Sequence, residues 1–180
     1  MSILKVAKLG HPVLRDVAKP IPVSEIVGSQ IQRLINNMIE TMREYEGVGL
    51  AAPQVHESLQ IAVIEAMEYP PETKSSPTPL TVLINPAMTI VSERLDEDWE
   101  GCLSIPDLRG LVPRYQEIKV QAYDQTGKLL EFRAQGFQAR VIQHEYDHLI
   151  GKVFLERMRS FESLSYLKEF SRYWKKHSED

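Results

Sequence analysis

The feature that most constrains this chain is the run Gln143-His144-Glu145-Tyr146-Asp147-His148. It lies in a segment from Phe137 to about Ile150 in which apolar residues recur at helical spacing. Residues four apart on a helix share one face, so His144 and His148 would be close enough to hold one cation. Glu145 would then reach a water on that cation without coordinating it. The plainer interpretation is two surface histidines on a charged helix.

Two histidines do not complete a catalytic metal site, which usually has three protein ligands and one open position. In one large class of peptidases the third ligand is a histidine in the pattern H-E-x-x-H-x-x-G-x-x-H. Gly151 fits that pattern and also predicts the end of the helix, but Phe154 stands where the histidine would be. Downstream acids such as Glu156 remain open.

A better third ligand is Cys102, the only cysteine, within Glu100-Gly101-Cys102-Leu103-Ser104. A thiolate with two imidazoles suits zinc or ferrous iron. The alternative for Cys102 is a small buried hydrophobic residue.

The rest of the chain predicts an α+β fold, with mainly antiparallel sheets around the helix that carries the histidines and a further helix at the C-terminus. The predicted helices run from about Ser24 to Tyr45, from Phe137 to Ile150 and from Phe161 to Lys176. The predicted strands are Ile61 to Ile64, Thr81 to Ile84, Glu117 to Tyr123 and Leu129 to Arg133. The last two form a hairpin around the turn Asp124-Gln125-Thr126-Gly127-Lys128. The proline-rich stretch from Glu65 to Pro79 predicts an exposed loop.

Length and charge narrow the class of protein. The chain has 180 residues and a net charge of −4. We expect one catalytic domain spanning residues 1–180, and no general affinity for nucleic acid. There is no apolar run long enough to cross a bilayer and no signal-peptide pattern, so we expect a cytoplasmic protein.

Three segments, taken together, resemble peptide deformylases of the bacterial type. They are Gly47-Val48-Gly49-Leu50-Ala51-Ala52-Pro53-Gln54, the segment around Cys102, and the segment with the two histidines, and their order and spacing also fit. The first segment also matches the loose dinucleotide pattern G-x-G-x-x-G/A. That pattern requires a strand before it and a helix after it, whereas here the predicted order is reversed.

The resemblance implies a metal-dependent hydrolase that removes the N-formyl group from the N-terminal formylmethionine of newly synthesised proteins and releases formate. It implies one divalent metal ion held by Cys102, His144 and His148, with Fe²⁺ expected and Zn²⁺, Ni²⁺ or Co²⁺ as alternatives. It assigns acid–base catalysis to Glu145. It also identifies the Gln54 side chain and the Leu103 backbone N–H as hydrogen-bond donors to the formyl oxygen.

The resemblance further implies a set of substrate-binding residues: Val48, Gly49, Glu100, Arg109, Phe137, Arg140 and Val141. Arg140 departs from the apolar residue that some relatives carry there. Asp147 lies between the histidines but points elsewhere on the helix, so we expect it to pair with an arginine such as Arg114.

The expected partners are N-formyl-methionyl nascent peptides, with no membrane and no sequence-specific nucleic acid. Contact with the ribosome through the C-terminal helix is a further hypothesis, based on Lys168, Arg172, Lys175 and Lys176; the alternative is an ordinary solvated face.

Two competing functions stay open. One is a zinc endopeptidase that uses the same histidine helix, and the other is a non-catalytic binding protein stabilised by a closed metal site.

Overall fold

Two long antiparallel strands, β3 (Thr78–Cys102) and β4 (Ile105–Tyr123), dominate this protein, for which a computed structural model describes residues 2–66 and 77–175. The other elements are listed in chain order: α1 (Ser29–Glu44), β1 (Gly49–Ala51), β2 (Ile61–Ala66), β5 (Leu129–Gln135), α2 (Gly136–Leu149), β6 (Ser165–Tyr166) and α3 (Leu167–Tyr173).

The sheet has the strand order β1-β2-β3-β4-β5, and every neighbouring pair is antiparallel. β3 pairs with β2 as far as Ile84, and beyond it pairs with β4 alone. The far ends of β3 and β4 therefore leave the main sheet as a two-stranded arm, whose turn lies between Cys102 and Ile105. Near its start, at Leu108 and Arg109, β4 also pairs with β6. The predicted α+β fold with an antiparallel sheet is confirmed.

Helix α2 is central to the fold. Ten of its fourteen residues are buried, which happens only when protein surrounds a helix on most sides. Its apolar side chains pack on the main sheet in one core with Ile64, Ile118 and Val120. Helix α1 covers β1 and β2 in a second core through its own apolar face, which includes Ile35 and Met38.

Sequence patterns located the helices better than they located their ends. Helix α1 begins at Ser29 rather than near Ser24, because Val23–Glu25 forms a separate 3-10 turn ahead of Gly28. Helix α2 ends at Leu149, and Gly151 follows with a φ of 72°, as its predicted role as a stop requires. Of the described helices, none is long and apolar enough to span a bilayer.

The predicted C-terminal helix is shorter than expected. Helix α3 starts at Leu167, not at Phe161, because Ser165 and Tyr166 pair with β4 instead. The end predicted at Lys176 lies outside the described residues.

All four strands lie where they were predicted, but each is longer than expected: β2 and β5 run two residues further than predicted, and β3 and β4 are far longer. The strand predicted from Thr81 to Ile84 is the first part of β3, and the one predicted from Glu117 to Tyr123 is the last part of β4. In the predicted hairpin turn, Asp124 Oδ1 accepts hydrogen bonds from the Thr126 and Lys128 backbone N–H groups. Of the loop predicted between Glu65 and Pro79, residues 67–76 lie outside the described residues, and its two ends belong to strands.

Candidate metal centre and active site

The structure brings together the three side chains predicted to hold a metal. Cys102 ends β3 at the turn of the arm, and α2 presents His144 and His148 towards it. The Cys102 Sγ and His148 Nε2 atoms are 3.3 Å apart, and the ligand atoms of the three residues all lie within 4.8 Å of one another. A tetrahedral ion with ordinary zinc bond lengths would separate sulfur and nitrogen by about 3.6 Å. The spacing of this buried group therefore fits a single ion.

The electrostatics of the cluster also favour a cation. Burial opposes a charge on Cys102, but the nearby imidazoles of His148 and His144 overcome that effect and hold the pKa of the thiol well below its ordinary value. Burial alone would lower the pKa of His144, yet hydrogen bonds to Cys102 and Glu100 raise it well above its ordinary value. A thiolate is thus available as a ligand, and a metal would displace the imidazole proton.

Glu100 fixes the orientation of the first histidine. His144 Nδ1 lies 2.9 Å from Glu100 Oε2. Burial opposes the charge on Glu100, but His144 and Arg114 hold the pKa of this carboxyl below its ordinary value. The ionised carboxylate can only accept, so Nδ1 donates and Nε2 is left for a metal.

Two buried arginines hold Glu100 in turn. Arg114 donates to both of its oxygens, at 2.9 and 3.0 Å, and Arg140 donates to Oε1 at 3.0 Å. Arg140 also donates to the backbone carbonyls of Val112 and Asp96, both at 2.7 Å. It therefore fastens α2 to both strands of the arm.

The predicted pairing of Asp147 with Arg114 is confirmed. Arg114 donates to Asp147 Oδ2 at 2.6 Å, and Arg157 binds the same carboxylate. Burial would raise the pKa of Asp147, but these two guanidinium groups hold it below its ordinary value. Arg114 thus links two buried carboxylates, one from the arm and one from α2.

Glu145 differs from these acids because no arginine holds it. It is buried, and its Oε2 has no hydrogen-bond partner among the described residues. Burial raises the pKa of Glu145 to about 7. Its other oxygen lies against Gly49, where an added Cβ would stand 2.4 Å from Oε1. The glycine thus leaves the space that the carboxylate occupies.

The side chain of Gln54 has a fixed orientation. Its Oε1 accepts a hydrogen bond from the Ala51 backbone N–H at 2.8 Å. Its Nε2 lies 3.4 Å from Cys102 Sγ and 3.3 Å from Ser104 Oγ. A donor is therefore aimed at the cluster.

A cavity of about 670 Å³ opens on this cluster. Its wall includes all the residues predicted to contact substrate: Val48, Gly49, Glu100, Arg109, Phe137, Arg140 and Val141. Leu103 also lies on the wall. Sequence reasoning missed several wall residues, among them Lys8, Trp99, Asp107 and Leu167. Trp99 could have been noticed, since it is one of two tryptophans and immediately precedes the Glu100 segment. Leu167 is distant in sequence and gave no such signal.

Comparisons with known proteins agree with this geometry. The family model described as polypeptide deformylase matches residues 3–163. Peptide deformylase 2 of Pseudomonas putida is 42% identical over 166 residues, which are 91% of this chain and 92% of the relative. The solved structure of a class I type b peptide deformylase from Acinetobacter baumannii, with Met-Ala-Ser bound, has a TM-score of 0.83 and 37% identity, and the match covers 87% of this chain and 99% of that one. The peptide deformylase of Thermotoga maritima has a TM-score of 0.77 and 34% identity, with 89% of this chain and 100% of that one covered.

Proposed function

This chain belongs to the polypeptide deformylase family, and on that premise we propose which of its residues carry out the reaction. The activity is the hydrolytic removal of the N-formyl group from the N-terminal formylmethionine of new proteins, with release of formate. One observation carries the residue assignment. Three buried ligand atoms within 4.8 Å of one another adjoin the buried carboxylate of Glu145, whose Oε2 has no hydrogen-bond partner among the described residues.

Cys102, His144 and His148 would hold a divalent metal ion, with Glu100 keeping His144 in the tautomer that coordination needs. When bound, the cation acts as a Lewis acid and lowers the pKa of a water from about 15.7 to about 7. A set of three protein ligands leaves the open position that a catalytic site requires.

Glu145 is the general base and acid. Its Oε2 takes a proton from the attacking water and delivers it to the departing amine nitrogen. No arginine holds this carboxyl as a permanent anion, unlike Glu100 and Asp147, so it is able both to accept and to release a proton.

The Gln54 amide and the Leu103 backbone N–H would donate to the formyl oxygen as negative charge develops on it. Because Ala51 holds the other end of the Gln54 amide, this donor needs no reorientation during the reaction.

The free edge of β1 would receive the substrate. Among the described strands β1 pairs only with β2, so an extended peptide can add to its other edge at Gly49. Val48, Phe137, Val141 and the stem of Arg140 would surround the methionine side chain. Arg109 would lie near the peptide backbone, and Glu100 at the inner rim.

Three variants separate deformylation from the competing functions: Cys102→Ala, Gln54→Ala and Glu145→Ala. We expect each to abolish or strongly reduce formate release from a formyl-methionyl peptide, with Glu145→Ala keeping its metal. His56→Ala is the control, since His56 is exposed and, among the rings of the described residues, contacts that of His11 alone. Cleavage of internal peptide bonds that survives both of the first two changes would support a zinc endopeptidase. Tight metal binding without any turnover in the wild type would support a structural site.

We propose Fe²⁺ as the native ion, because thiolate and imidazole ligands suit it as well as zinc. Protein purified without oxygen should contain iron and lose activity in air, while the Ni²⁺-loaded form should not. Zinc in the anaerobic preparation would contradict this assignment.

Cytoplasmic residence and ribosome contact are also proposals. A thiol that must stay reduced favours a reducing compartment. Lys168, Arg172 and Lys175 are exposed on or next to α3, where they could contact ribosomal RNA near the peptide exit. Co-sedimentation of the wild type with ribosomes, lost on truncation after Phe161, would support the contact. Unchanged binding would remove it.

A further inference from the structure

The C-terminal segment, residues 163–174, is fastened along the arm that carries Cys102. Ser163 Oγ accepts a hydrogen bond from the Leu111 backbone N–H at 3.0 Å. Strand β6 then pairs Ser165 with Arg109 and Tyr166 with Leu108. This is the stretch of β4 that borders the active-site cavity, so the segment is held at a fixed place beside it.

Aromatic packing fastens the same segment a second time. The ring of Trp99 lies 4.8 Å from that of Phe170 and 5.7 Å from that of Trp174. Trp99 immediately precedes Glu100 and lines the active-site cavity. Helix α3 is therefore anchored on the cavity wall itself, and aromatic pairs of this kind are favourable beyond the area they bury.

These two attachments place Leu167 at the mouth of the active site. Leu167 is half-buried and lines the active-site cavity together with Trp99, Asp107 and Arg109. A second cavity begins at the same point, because Asp107 and Leu167 line both. The rest of its wall belongs to the C-terminal segment: Tyr166, Lys168, Glu169 and Ser171. The second cavity thus adjoins the active-site cavity at Leu167, and the other residues of the C-terminal segment on its wall have no part in the catalytic centre.

We propose that the C-terminal segment is the outer wall of the substrate groove and binds the peptide residues that follow the formylmethionine. The ligand is an extended peptide. Its residues beyond the second contact Leu167 and Trp99, and an apolar side chain is favoured at that point. This inference rests on the proposed function, since it extends the groove in which deformylation takes place. An extended chain advances about 3.4 Å per residue, and the proposal assigns this wall to the third and later residues of the substrate.

The test compares a short and a long substrate, formyl-Met-Ala and formyl-Met-Ala-Ser-Leu, on wild type and Leu167→Ala. The measured quantity is kcat/KM for the long substrate divided by that for the short one. We expect the ratio to fall at least about fivefold in the variant, mainly through KM, because apolar contact is lost only where the long peptide reaches. Phe161→Ala is the matched control. It removes a large side chain that is 68% exposed just ahead of the segment, and it should leave the ratio as in the wild type.

An unchanged ratio in Leu167→Ala, or equal losses on both substrates, would overturn the proposal. A wild type that releases no formate even from formyl-Met-Ala would instead defeat the proposed function, so the two failures are distinguishable. If Leu167→Ala does not fold, hydrogen exchange on the wild type decides. The product peptide Met-Ala-Ser-Leu should protect backbone amides of residues 163–174, and Met-Ala should not. Equal protection by both peptides would reject the outer wall.

Discussion

Replacing Arg140 by methionine tests how much the buried ion pair between Arg140 and Glu100 contributes to the stability of the fold. The Arg140 guanidinium makes three short hydrogen bonds, to Glu100 at 3.0 Å and to the carbonyls of Val112 and Asp96 at 2.7 Å each. Its side chain is 5% exposed. Removing one partner of a buried pair costs about 3–5 kcal/mol, because the remaining groups lose their bonds without regaining water. Since Arg114 and His144 still hold Glu100, we expect the lower end, about 3 kcal/mol.

Arg133→Met is the matched control for that change. Arg133 also pairs with a glutamate, at 3.1 Å from Glu117, but its side chain is 68% exposed. An exposed pair contributes about 0–1 kcal/mol, so the two substitutions should differ by at least about 2 kcal/mol. The assay is urea unfolding of both variants with a chelator present, because bound metal would add its own stabilisation. Similar losses for the two variants, or a loss below about 1 kcal/mol for Arg140→Met, would refute the reasoning.

Three further predictions concern single sites. Gly49→Ala places a Cβ 2.4 Å from Glu145 Oε1 and must displace that carboxylate. The kcat for formate release should therefore fall about 100-fold, while the metal content stays unchanged. Full activity would show that Glu145 needs no fixed position. Gln54→Leu removes one donor to the developing oxyanion, so kcat should fall about 10²- to 10³-fold in protein that still binds metal. An effect on KM alone would contradict the assignment of Gln54 as an oxyanion donor. The Thr126 side chain is the main cause of the lowered pKa of Asp124. This carboxylate therefore contributes stability above its unfolded pKa of about 3.9 that is lost as the pH falls through its lower folded pKa. The free energy of unfolding of Asp124→Ala should consequently be lower than that of wild type at pH 7 by under about 1 kcal/mol. This difference between the two proteins should become smaller towards pH 2. A difference that does not depend on pH would show that the charge of Asp124 is not involved.

The features that were predicted best from the sequence are those that depend on contacts between residues close together in the chain. The spacing of His144 and His148 gave their shared helix face, and the turn at Asp124 gave the hairpin between β4 and β5. Both depend on contacts within a few residues, where helical periodicity and turn chemistry determine the geometry. The convergence of Cys102 with the histidines was also expected, but it came from ligand chemistry rather than from any local pattern.

The features that the sequence missed are stabilised by partners far along the chain. The outer part of β3 around Asp96 is charged and exposed and has no strand pattern of its own, yet it is extended because β4 pairs with it. Likewise, Ser165 and Tyr166 lie within the segment predicted to be helical but form β6, since the edge of β4 supplies hydrogen bonds there. In both places tertiary pairing overrides local preference.

Glu100 shows how such long-range contacts create the site. The family resemblance placed it among the substrate contacts, and it does lie on the cavity wall. Its carboxylate, however, is bound by His144 and by two arginines, Arg114 and Arg140, which lie 14 and 40 residues away along the chain. A buried carboxylate with so many partners is stable only as an anion, and an anion at this point sets the tautomer of His144. The arm that delivers Cys102 and the helix that delivers the histidines are thus joined through one acidic residue. For this reason the geometry of the metal ligands and the stability of the arm should change together when either arginine is replaced.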